Sequence, residues 1–114
     1  MPAYLALTYT PDVDWTRPEH AEEMAEYRAF GRAAEAVIRG AGVLYPTASA
    51  TTVRMAAKGG EVLTSDGPYT ETKEALTGYY VIEAEDLDAA VAVAATIPAA
   101  WNGAVEIRPI ISYR

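Results

Sequence analysis

The sequence predicts an α+β fold, an antiparallel sheet with two helices on one face, and two patterns carry that prediction. Apolar residues recur at steps of three or four in stretches that open at Pro18 and Asp86, which is helical periodicity. Short aromatic and β-branched runs lie before, between and after those stretches, which is the pattern of strands. At 114 residues the chain has room for one domain, 1–114, around one core.

Residues 3–9 read as the first strand, being aliphatic and aromatic without Gly or Pro. Residues 11–17 form a loop. Pro18 then suits the first turn of a helix, where its missing N–H costs nothing. Glu19, Glu22 and Glu23 complement the positive end of the helix dipole. Ala21, Met24, Tyr27, Phe30, Ala34, Val37, Ile38 and Ala41 continue the helical spacing, with Arg39 in the last turn and Gly40 and Gly42 as the stop. Val43-Leu44-Tyr45 is a short strand ended by Pro46.

Residues 51–57 alternate, with Val53, Met55 and Ala57 on one face. Gly59-Gly60 supplies a two-residue hairpin turn with positive φ at both positions, and 61–65 return. Asp66-Gly67-Pro68 is a turn in which the Asp side chain folds back on the backbone. After a polar loop or helical turn at 69–76, residues 78–84 form the strongest strand. Asp86 caps a second helix whose inner face is Leu87, Ala90, Val91, Ala94 and Ile97, with Pro98 as its end. Asn102-Gly103 turns into a last strand at 104–109. The nearest known solution for this order is the split βαβ, ferredoxin-like arrangement.

Tyr79, Tyr80, Val81 and Ile82 are consecutive, so apolar groups leave both faces of their strand. Two helices cover one face only, and a second copy packed sheet to sheet covers the other. The expectation is a homodimer in the form of a dimeric α+β barrel.

A net charge of −7 and the lack of any basic cluster argue against nucleic acid as a partner. No apolar run is long enough to span a membrane, and Met1-Pro2-Ala3-Tyr4-Leu5 has no basic n-region of a signal peptide. With no cysteine, the chain fits a cytoplasmic setting, and one histidine cannot build a zinc site. No glycine-rich phosphate loop or nucleophile elbow is present. No metal or organic cofactor is expected.

The segment Thr64-Ser65-Asp66-Gly67-Pro68-Tyr69-Thr70-Glu71-Thr72-Lys73-Glu74 resembles the signature of the DGPF branch of the YCII-related family, with Tyr69 where that signature has Phe. The likeness runs on through Gly78-Tyr79-Tyr80-Val81-Ile82-Glu83, Asp86-Leu87-Asp88-Ala89-Ala90, Ile97-Pro98 and Val105-Glu106-Ile107-Arg108-Pro109-Ile110. The resemblance implies a cofactor-free dimeric α+β barrel. It also implies a cleft where a His and an Asp meet, and a link to extracytoplasmic-function sigma factors.

Arg17-Pro18-Glu19-His20 resembles the Arg-x-x-His helix start of that family. His20 is a natural proton shuttle near neutral pH, and Asp66 is the carboxylate that would orient it. The pair would serve a lyase or hydrolase. The plainer reading makes His20 a solvated first-turn residue. Arg17, Lys73, Tyr79, Tyr80 and Arg108 are candidate ligand contacts, with a solvated charge run as the alternative for Lys73, core packing for the two tyrosines and pairing with Glu106 or Glu83 for Arg108. The sequence therefore leaves three functions open: a small-molecule binding protein, an acid/base enzyme, and a regulatory partner of a sigma factor.

Overall fold

The computed structural model describes residues 1–112. It shows an α+β fold whose main sheet has four antiparallel strands in the order β2-β5-β1-β6. These are β1 (Ala3–Thr10), β2 (Ile38–Val43), β5 (Ala75–Glu83) and β6 (Ala104–Pro109). A separate two-stranded sheet pairs β3 (Thr51–Met55) with β4 (Val62–Asp66). Helices α1 (Ala21–Ala33) and α2 (Leu87–Ala94) pack on one face of the main sheet, and a short α3 (Ala99–Asn102) precedes β6.

β1 alternates strictly. Tyr4, Ala6, Thr8 and Thr10 are buried under the helices, and Leu5, Leu7 and Tyr9 face the other way. Tyr80 and Ile82 of β5 meet Phe30 of α1 and Ala90 and Ala94 of α2 in one core, where the Phe30 and Tyr80 rings stack edge to face at 4.9 Å. Consecutive residues of β5 thus take opposite faces, with Tyr80 in the core and Tyr79 on the open face beside Leu76 and Val81.

Buried threonines close one end of the core. The Thr10 and Thr77 hydroxyls are 2.8 Å apart, Thr8 and Thr77 are 3.4 Å apart, and Thr10 donates to the Pro11 carbonyl at 3.2 Å.

α2 starts as its sequence dictates, with the Asp86 carboxylate accepting from the Ala89 amide at 2.8 Å. Ala90, Ala94 and Ile97 lie in the core as expected, whereas Leu87 and Val91 are exposed and Ala89 and Val93 pack against the core in their place. The helix ends at Ala94, and Pro98 opens α3 instead of closing α2.

The first helix is shorter than its periodicity suggests. A 3-10 turn at Pro18–His20 leads into α1, which stops at Ala33. Residues Ile38 to Val43, expected to straddle the helix end and a strand at 43–45, are β2. Both glycines are strand residues, and Gly42 makes room for β5, since a Cβ there would sit 2.7 Å from the Tyr79 ring. The hairpin also departs from a two-residue turn. Residues 56–61 connect its strands, Gly60 N–H donates to Ala57 O at 2.9 Å, and only Gly59 of the glycine pair has positive φ (+77°). Asp66 ends β4 opposite Thr51, and its carboxylate makes no fold-back hydrogen bond among the described residues.

Candidate functional site

A cleft of about 530 Å³ opens between the 11–17 loop, the first turns of α1 and the end of β2. Helical spacing builds one wall, because Ala21, Met24 and Arg28 stand at i, i+3 and i+7 and share a face. Val43, Leu44 and Tyr45 form the facing wall where the chain leaves β2. Asp14 and Arg17 complete the rim.

The rim charges are unequal. The Asp14 carboxylate accepts from the Thr16 hydroxyl at 2.6 Å and the Thr16 amide at 2.9 Å, and lies 3.6 Å from Arg17. The Thr16 bonds, and then the Arg17 charge, hold its carboxyl below the usual range. Arg28 makes no ion pair among the described residues. It also has no acidic residue three or four positions away on its helix. A chain of net charge −7 thus presents a surplus cation at the edge of a mostly apolar cleft. Such a site can take a molecule with an apolar body and an anionic group.

Trp15 is the partition behind this cleft. Its ring is buried although it comes from a loop, 5.2 Å from the His20 ring and 5.7 Å from the Tyr27 ring. A narrow gap behind it is lined by Thr8, Thr77, Tyr27 and Tyr80. Burial, then Tyr80, then Glu23 and Glu26 push the Tyr27 phenol up to about 12. Burial alone raises Tyr80.

On the other side of Trp15 a second cleft, about 260 Å³, holds His20 with Thr10, Glu23 and Asn102. The His20 nitrogens face carboxylates at 3.8 Å, Nδ1 toward Glu23 and Nε2 toward Glu19. Asp66 is not among these neighbours. It sits exposed at the root of the β3–β4 hairpin, and no hydrogen bond or ion pair joins it to His20 among the described residues.

The other candidates disperse. Arg17 lines the large cleft, whereas Lys73 lies exposed on the loop before β5 and lines none of these clefts. Tyr80 is a core residue and Tyr79 lies on the open sheet face. Arg108 pairs with Glu106 on the same strand. A third cleft, about 470 Å³, is lined by Tyr69, Thr70 and Thr72 on the far side of the Leu44-Tyr45 segment. Sequence reasoning missed Arg28, Met24 and Trp15 as site residues. The signal for Arg28 was present, since it interrupts an apolar stripe at a helical interval.

Among the described residues no three His, Cys, Asp or Glu side chains cluster as a metal site would need. None of their helices is long and apolar enough to cross a membrane.

A family model described as YCII-related domain matches residues 2–114. The chain belongs to the YCII-related family. This YCII-related chain is also 41% identical, over 73 residues, to an uncharacterised protein of Rhizobium meliloti (strain 1021). The match takes in 62% of the chain and 57% of that relative, so the chain spans little more than half of the relative's length.

Proposed function

We propose that this YCII-related protein is a homodimeric, cofactor-free binding protein of the cytoplasm. Its ligand is a small molecule with an apolar body and an anionic group, held in the cleft between α1 and the end of β2. The observation that carries this reading is the Arg28 side chain, unpaired among the described residues, on the rim of a cleft walled by Met24, Val43 and Leu44. Arg17 assists, with part of its charge taken up by Asp14.

The strand order β2-β5-β1-β6 supports the ferredoxin-like split βαβ, because the strands lying beside the two helical crossovers are separated as that arrangement requires. The open face of the sheet, with Leu5, Leu7, Leu76, Tyr79 and Val81, supports a second copy packed against it as a dimeric barrel.

The test is an NMR titration with an aromatic carboxylate and its primary amide, which has the same shape without the charge. A charge-assisted contact contributes about 1.5–3 kcal/mol, so the carboxylate binds roughly tenfold or more tighter than the amide. Its shift changes map to Met24, Arg28 and Val43, and Arg28→Gln removes the preference. Equal binding of acid and amide, or shifts confined to the His20 cleft, would refute the reading. The second outcome would favour acid/base chemistry with Glu23, the carboxylate that faces His20 Nδ1.

A further inference from the structure

The β3–β4 hairpin stands apart from the rest of the molecule. Its strands pair with each other and scarcely touch any other element. An isolated two-stranded ribbon is marginal in water, and an uncovered apolar edge invites association.

Its two faces are unlike. On one, Thr52 donates to the Gly67 carbonyl at 2.9 Å and the Arg54 guanidinium lies 5.3 Å from the centre of the Tyr69 ring, so this side is tied back to the chain. The other carries Val53, Met55 and Val62, which are 62%, 47% and 58% exposed. Met55 pairs with Val62 and Val53 with Thr64, and this face has no charge until Asp66 at the root.

The whole chain is too open for a lone monomer of its size. Its radius of gyration is 16.0 Å, against about 13 Å for a compact domain of this length. Its accessible surface is 7920 Å², against roughly 6,100 Å² for a compact monomer of this mass. The difference, roughly 1,800 Å² per chain, is the scale of an obligate dimer, which buries about 2,000–5,000 Å² over two partners. The open face of the main sheet does not account for it alone. A sheet this wide, at about 4.8 Å between strands and about 3.3 Å per residue, offers roughly 400–500 Å² of flat area. Even doubled for side-chain relief, that leaves a large remainder.

We propose that the β3–β4 hairpin is an arm that lays its Val53, Met55 and Val62 face on a second copy of this chain. The arm extends the dimer contact beyond the main sheet, and it rests on the dimer reading above. Isologous pairing uses each arm once, so one substitution acts twice in the dimer.

The experiment is fluorescence-detected sedimentation of the full chain from nanomolar to micromolar concentration. Val53→Lys/Val62→Lys should raise the dimer dissociation constant by about a hundredfold or more, since four aliphatic side chains leave the interface. Leu63→Lys places the same change on the opposite face of the same hairpin and should leave the constant within about threefold of wild type. Circular dichroism checks that each variant keeps the fold. If the double variant dimerises as tightly as wild type, the arm reading fails and the sheet-face dimer stands. If Leu63→Lys weakens the dimer equally, the assigned face is wrong and the proposal falls. If the wild type is monomeric throughout, both the dimer and the arm are overturned, and the hairpin awaits some other partner.

Discussion

A methyl group added at two glycines should move stability in opposite directions. A Cβ on Gly103 would lie 2.0 Å from the Tyr9 carbonyl oxygen and 3.0 Å from a Glu74 carboxylate oxygen. Ordinary carbon contacts are about 3.5–4.0 Å, so something must yield by more than 1 Å. The obstacle is backbone, and it is held from both sides, because Tyr9 pairs with Leu76 of β5 and with Ala104 of β6. Overpacking costs about 1–3 kcal/mol, and a strained or broken ladder hydrogen bond adds about 1 kcal/mol. Gly103→Ala should therefore destabilise by about 3 kcal/mol, lowering Tm by roughly 10–15 °C for a domain of this length. Gly31 lies inside α1 with nothing within 4 Å of its would-be Cβ. There alanine gains only helix propensity, so Gly31→Ala should stabilise by about 0.5–1 kcal/mol. Urea unfolding and thermal melts of both variants check this. A Gly103→Ala protein within 1 kcal/mol of wild type, or a Gly31→Ala protein less stable than wild type, would refute the packing argument.

Two other predictions concern the cap of α2 and the buried phenol. Asp86→Ala should cost about 1 kcal/mol in urea unfolding while Asp86→Asn costs much less, because the side-chain oxygen that accepts from Ala89 is what matters. Tyr27 ionises at about 12 in the fold, against an ordinary value of 10.0. The unfolded chain therefore loses this proton first, so the contribution is fully present below pH 10 and is lost as pH rises toward about 12. Tyr27→Phe should lose less stability than wild type between pH 9 and pH 11.5, and equal losses would remove Tyr27 as the cause.

What could be read from the sequence was local. β1, β5, β6 and the Asp86 cap follow from alternation and capping chemistry that need no distant partner. The end of α1 does not, since Ala34, Val37 and Ile38 keep helical spacing after the helix has stopped at Ala33. The pairing of Ile38 to Val43 with β5 overrides that spacing, and Gly42 leaves the space that the Tyr79 ring fills. The rotation of α2 was hidden because Ala89 to Ala95 is apolar all round and has no polar face to read. At the site, motif reading pointed to His20 and Asp66, which lie on a helix start and a hairpin root. The cleft is instead organised by Trp15, whose burial depends on His20 and Tyr27 folding beside it.

The buried threonines have a consequence for the loop that carries Trp15. Each hydroxyl owns a single proton. Thr10 donates to the Pro11 carbonyl and also lies 2.8 Å from the Thr77 hydroxyl, which in turn is 3.4 Å from both the hydroxyl and the carbonyl oxygen of Thr8. A row of shared hydroxyls thus runs from inside the sheet toward Pro11, and each bond polarises the next. The 11–17 loop therefore begins at the end of a buried polar row, and its position on the sheet is set by hydrogen bonding as well as by packing.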